Sequence, residues 1–177
     1  MTRWAVHGTR SLYSSDWLDL QLVEVEPPGL EPFEHHVIRT RPAAGTVITD
    51  ARRGVLLLWR HRFITDTWGW DIPAGRVEDD ESPEEAASRE ALEESGWSPG
   101  PLVKLGSYRP HNGLADTEFH LFLATSATEI GPPTDNTEAE RVEWVSVAEV
   151  QEAIERGQVQ DGMSLTGLLW ALASGRL

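Results

Sequence analysis

The chain has 177 residues and no cysteine, which fits one domain and excludes a disulfide scaffold, zinc–thiolate sites and thiol catalysis. Hydrophobic residues make up 40% and charged residues 25%, an ordinary globular balance far from a disordered one. The formal net charge is −14, so nucleic acid and anionic lipid are repelled, no basic patch being visible to attract them. Apolar runs such as 55–59 are too short to span a bilayer, and the N-terminus lacks the apolar core of a secretory signal. A cytoplasmic location is expected, with no membrane and no nucleic-acid partner.

In chain order, residues 17–25 alternate apolar Leu18, Leu20 and Leu22 with polar Asp19 and Gln21, which predicts a strand. Pro27, Pro28 and Gly29 make a turn, and residues 33–39 a returning strand. Residues 45–49 and 55–62 flank 50–54 as a hairpin, and the unbroken apolar run 55–59 predicts a strand buried on both faces. A helix begins after Ser82, with Pro83 at its first position and Glu85 completing a capping box, and ends at Gly96. Further strands are predicted at 102–108, 119–125 and 141–145, then helices at 146–156, with Ser146 and Glu149 as a second box, and at 165–173. Strands first, with few helices between them, predict an α+β or layered sandwich.

The chemistry concentrates in residues 75–97. Glu90, Glu93 and Glu94 stand at i, i+3 and i+4, so at about 100° per residue they share one stripe of the helix. Three like charges there cost helix stability. Arg89 lies beside them, and small Ala86 and Ala87 one turn back let the helix pack closely. Such a stripe is what a hard divalent cation needs, since Mg²⁺ takes oxygen ligands and bridges carboxylates to phosphates. A solvated acidic face has the same composition.

The wider spacing resembles the Nudix box, GX5EX7REUXEEXGU, with U a bulky apolar residue. Gly75, Glu81, Arg89, Glu90, Glu93, Glu94 and Gly96 fill every fixed position, while small Ala91 and aromatic Trp97 depart mildly at the U positions. The resemblance implies a Nudix hydrolase: an α/β/α sandwich around a mixed sheet, attacking with water the pyrophosphate of a nucleoside diphosphate linked to another moiety. It implies Mg²⁺ as cofactor, with Mn²⁺ as a possible substitute. Glu90 and Glu94 are then direct metal ligands, Glu93 a further ligand or the holder of a metal-bound water, and the Ala74 carbonyl another ligand. Arg89 orients the acids, and Glu81 is structural or binds a peripheral metal. Gly75 and Gly96 serve where a side chain would crowd the backbone.

Outside the box the chain is similar to the ADP-ribose/ADP-sugar pyrophosphatase branch. Its amino-terminal pair of strands looks like that branch's extension, which implies residues 1–42 as a dimer element of a single 177-residue domain and a homodimer as the assembly. The run VLLLWRHR at 55–62 ends on Arg62, a candidate phosphate ligand, and WGWDIPAG leads into the box. The segment EAERVEW at 138–144 offers Glu140 as catalytic base, with Glu138 behind it and Glu93 next. Arg39, Arg41 and Arg60 either bind phosphate or pair with the surplus acids. Gly113 and Asp116 keep the branch's turn character, and Asp116 and Glu118 either contact a ribose or metal or end a loop. His35, His36 and His111 read as surface residues, and Trp68 and Trp70 as packing residues. One departure bears on substrate: the branch has a proline sixteen residues after the last box glycine, and here that position is Asn112.

The expected function is Mg²⁺-dependent cleavage of ADP-ribose or a nucleotide-sugar into a nucleoside monophosphate and a sugar phosphate. The alternatives are a sanitising nucleoside triphosphate pyrophosphatase, against which the extension argues, and a Nudix-fold ligand-binding regulator, against which the full set of box acids argues.

Overall fold

The computed structural model describes residues 2–135 and 139–177. The chain forms two compact units, Met1–Arg41 with Arg109–Glu118, and Pro42–Tyr108 with Phe119–Leu177.

In the first unit, β1 (Ala5–Ser14), β2 (Asp19–Glu26) and β3 (Phe33–Arg39) make an antiparallel sheet in that order. The extension therefore has three strands rather than the expected pair. All ten residues of β1 are exposed, and its register slips at Val6/Gly8 and again at Ser11/Tyr13. A strand with no buried face and two irregularities has no reason to carry a period-2 apolar pattern. Leu22, Val23 and Val25 on β2 are buried, which is why the alternation was legible there. The 109–118 loop is clipped to β3: Ile38 N–H donates to Leu114 O at 2.8 Å, and Asp116 N–H to Ile38 O at 3.2 Å.

The second unit is built on a seven-stranded mixed sheet of β4 (Ala43–Asp50), β5 (Gly54–Arg62), β6 (Thr67–Asp71), β7 (Ala74–Arg76), β9 (Val103–Tyr108), β10 (Phe119–Ala124) and β12 (Arg141–Val145), with β8 (Trp97–Pro99) and β11 (Ala127–Glu129) as a separate two-stranded ladder. The sheet's main path runs β12-β5-β4-β10-β9, with β6 beside β5 and β7 beside β4. β4 and β10 are parallel, and the remaining pairs antiparallel. Strand alternation divides the core into two layers. Val47, Val55, Leu57, Leu121 and Leu123 pack with residues of α2 (Val147–Glu155) and α3 (Gly162–Ala173). Ala44, Ile48, Leu56, Phe122 and Ala124 pack with Ala86, Ala87 and Ala91 of α1 (Pro83–Ser95). This is the expected α+β arrangement, a mixed sheet between helical layers. Val55, Leu56, Leu57 and Leu58 are fully buried, as a run covered on both faces must be.

The α1 signals hold in detail. Ser82 Oγ accepts from Glu85 N–H at 3.3 Å, and Glu85 Oε2 accepts from Ser82 N–H at 2.8 Å. Gly96 closes the helix in the left-handed region at φ 76°, where a side chain would also meet the Gly131 carbonyl. α3 starts three residues before its predicted bound because Asp161 is an N-cap, its carboxylate accepting from Ser164 N–H at 2.8 Å. Trp68 is exposed and lies stacked over Trp59 with ring centroids 6.3 Å apart, on the same face of the sheet as Trp70.

Candidate active site

α1 lies across β4 and β10 on its alanines, and that close seat brings its acid stripe to the loop before the helix. Thr46 on β4 reinforces the seat, its hydroxyl donating to Ala87 O at 3.1 Å. At Gly75 the approach is so tight that a Cβ would fall on the Glu90 carboxylate. Gly75 is thus required for space. Its neighbour Ala74 donates its N–H to Glu94 Oε2 at 2.8 Å.

Two arginines share out the acids. Arg89 holds Glu81 with both arms of its fork, Nε to Oε1 at 2.8 Å and Nη2 to Oε2 at 2.9 Å, and also donates from Nη2 to the Arg76 carbonyl at 3.1 Å. Its remaining nitrogen, Nη1, reaches Glu90 Oε1 and Glu93 Oε2 at 2.9 Å each. Glu90 and Glu93 therefore converge on a single atom. These bonds hold Arg89 fully protonated, well above the ordinary arginine value. The second arginine is Arg60 on β5, which donates from Nη1 to Glu94 Oε1 at 3.0 Å and lies 3.6 Å through Nε from Asp71 Oδ2. Arg60, Asp71 and Glu94 are all at least 97% buried. Arg62 closes the row, its Nη2 and Nε reaching Asp71 Oδ2 at 2.7 and 3.0 Å. Burial pushes the Asp71 carboxyl up, with Arg62 and Arg60 opposing.

Glu81 is held below the usual glutamate range, first by its hydrogen bonds from Arg89 and then by the Glu78 N–H. A lowered folded-state value makes its stabilisation complete above the ordinary glutamate value, lost as pH falls through the lowered one. Glu81→Gln should therefore lower the urea midpoint at pH 7 and flatten the acid limb of the stability–pH curve. A variant curve parallel to wild type down to pH 3 would contradict this role.

The site fits a divalent cation in donor chemistry and charge. Glu81, Glu90 and Glu93 share Arg89, and Glu94 rests on Arg60, so four carboxylates gather beside a loop that has no side chain at Gly75. Among the described residues no three acid or histidine side chains are already gathered into a ligand cage; the arginines hold them instead. Binding therefore has to draw carboxylate charge away from a guanidinium.

Of the residues singled out by sequence, Ala74, Arg89, Glu90, Glu93 and Glu94 come together here, and Arg62 joins through Asp71. Glu140 immediately precedes β12, its N–H donating to Trp59 O at 2.9 Å and its side chain exposed. Asp135 N–H donates to Glu93 O at the end of α1 at 3.1 Å. Glu138 lies outside the described residues. Arg41, Gly113 and Asp116 belong to the other unit. There Asp116 accepts from Arg39 Nη1 at 3.1 Å and Thr40 N–H at 3.2 Å, and the Gly113 carbonyl faces His35 Nε2 at 3.0 Å. The loop-fixing reading of Asp116 is thus the one its contacts display. Sequence reasoning left Arg60 undistinguished from its neighbours and missed Asp71. The signal was parity: Arg60 falls on the same side of β5 as Leu56, toward α1.

The NUDIX domain family model matches residues 39–163. The chain is 39% identical over 173 residues to the CMP-5′-(N-acetyl-N-hydroxy-3-aminopropyl)phosphonate hydrolase of Streptomyces rubellomurinus, covering 98% of this chain and 84% of that one. It is 29% identical over 140 residues to the ADP-ribose pyrophosphatase of Bacillus subtilis, covering 78% and 74%. In fold it is similar to the crystal structure of an ADP compounds hydrolase, with a TM-score of 0.83 at 16% identity, covering 100% of this chain and 98% of that one. The chain belongs to the NUDIX domain family. It is a Nudix pyrophosphohydrolase, an enzyme acting on small nucleotide substrates. Among the described residues no helix is long and apolar enough to cross a membrane.

Proposed function

We propose that the enzyme cleaves the anhydride between a nucleoside 5′-monophosphate and a second phosphoryl-bearing group, with ADP-ribose or a nucleotide-sugar as the substrate class and Mg²⁺, replaceable by Mn²⁺, as cofactor. The observation that carries this reading is the gathering of four acids, Glu81, Glu90 and Glu93 on Arg89 and Glu94 on Arg60, beside Gly75. When bound, the cation supplies charge neutralisation of the anhydride and acidity toward water. Glu90 and Glu94, with the Ala74 carbonyl, would hold it, and Glu93 would add a ligand or fix a water. Arg89 keeps Glu90 and Glu93 convergent before substrate arrives, so little reorganisation is left for the reaction itself. Glu140, just before β12, takes the proton from the attacking water. Arg62 offers its guanidinium to phosphate. Residues 1–42 serve as the dimer element of a homodimer working in the cytoplasm.

Two observations widen the substrate class beyond ADP-ribose. Asn112 replaces the proline of that branch, and the relative aligned over 98% of this chain is named for a CMP-linked phosphonate. Phosphoric–phosphonic and diphosphate anhydrides break by the same displacement at phosphorus, so one acid stripe serves both. The test is a chromatographic panel with Mg²⁺ containing ADP-ribose, CDP- and UDP-linked compounds, a CMP-linked phosphonate and nucleoside triphosphates. The expected result is a nucleoside monophosphate from at least one nucleotide linked to a second moiety. Turnover of triphosphates alone would overturn the substrate class, and no turnover of any member would overturn catalysis.

A further inference from the structure

Arg60 is a fully charged side chain 2% exposed, set against Glu94, itself 3% exposed. Taking both charges out of water is costly, and removing one partner of such a pair is strongly destabilising. Packing on α1 does not require a charge at this point, since Leu56 and Leu58 fill the same strand with apolar side chains. What the guanidinium does is fix the one box carboxylate that Arg89 does not reach. Glu94 has Arg60 on Oε1 and the Ala74 N–H on Oε2, and Arg60 is held from behind by Asp71 and, through it, Arg62.

We infer that Arg60 is a resident counter-charge for Glu94. It keeps the acid stripe folded and pre-aimed when no cation is bound, and it lowers cation affinity below what the number of acids alone would give. A divalent cation arriving at Glu94 takes over part of the neutralisation that Arg60 provides, so guanidinium and cation act on one carboxylate in opposition. This rests on the reading of Glu94 as a metal ligand. Arg60 is a positioning residue and touches no reacting atom. Its consequence is a trade: without the arginine, the metal-free protein is less stable and the cation binds more tightly.

The experiment uses the full chain without substrate. Wild type, Arg60→Gln, Arg60→Lys and Glu94→Gln are melted in EDTA and in MgCl₂, and titrated calorimetrically with MgCl₂. Arg60→Gln should melt lower than wild type in EDTA, recover most of the difference in MgCl₂, and bind Mg²⁺ about tenfold more tightly, the scale expected for one charge removed near the ligand. Arg60→Lys keeps the charge and should bind Mg²⁺ like wild type. An Arg60→Gln melting point lowered equally in both buffers, with Mg²⁺ affinity unchanged or weaker, would overturn the proposal and leave Arg60 a packing residue. So would an Arg60→Gln protein that is insoluble with and without Mg²⁺, because the cation must be able to take the arginine's place. Glu94→Gln separates the underlying reading: if it binds Mg²⁺ as wild type does, Glu94 is no ligand, whatever Arg60 does.

Discussion

Glu94→Gln is expected to lower kcat roughly a thousandfold, about 4 kcal/mol of transition-state stabilisation, while the chain stays folded. Glutamine keeps the shape and can still accept from the Ala74 N–H, and Arg60 keeps Asp71 as a partner, so the buried guanidinium is not stranded. What is lost is the carboxylate charge at the centre of the stripe. Because a cation bound at Glu94 acts more strongly on the developing charge of the transition state than on the ground state, the loss should fall on kcat more than on KM. Steady-state kinetics with Mg²⁺, alongside circular dichroism, checks it, and a kcat within threefold of wild type would remove Glu94 from the chemistry.

Gly75→Ala is expected to cost about a hundredfold in kcat/KM, the scale of a catalytic group displaced by an ångström or so. The new methyl would coincide with the Glu90 carboxylate, so either Glu90 turns away from Arg89 or the β7 backbone moves off β4, where Gly75 pairs with Ala44. Overpacking of this kind also costs about 1–3 kcal/mol of stability. Gly162→Ala is the control, since a Cβ there meets nothing within 4 Å. Kinetics and thermal melts of the two variants distinguish the site from a general intolerance of alanine, and equal activity would show that the crowding at Gly75 is without consequence for catalysis.

Much of the second unit was legible because its signals are local. The Ser82 and Ser146 capping boxes, the stop at Gly96 and the apolar run 55–59 each state a structure within a few residues. The spacing of Glu90, Glu93 and Glu94 likewise places them on one stripe whatever surrounds the helix. The partners of those acids were not legible. Arg39, Arg41, Arg60 and Arg62 look alike in sequence, yet Arg60 is buried on Glu94, Arg62 is half-exposed on Asp71, and Arg39 pairs with Asp116 in the other unit. Only tertiary packing decides which arginine meets which acid, because it brings together residues 34 positions apart, Arg60 on β5 and Glu94 on α1. Strand β1 escaped because an exposed strand leaves no apolar period, and β7, β8 and β11 because three residues are too few to show one.

The most direct test of the acid stripe as a cation site is a crystal of the protein soaked in MnCl₂ with a non-hydrolysable nucleotide-sugar analogue, read by anomalous scattering at the manganese edge. The account predicts at least one manganese within bonding distance of Glu90 and Glu94, with the analogue's anhydride phosphates on its far side. An occupied nucleotide with no manganese at these two carboxylates, which still rest on Arg89 and Arg60, would contradict it.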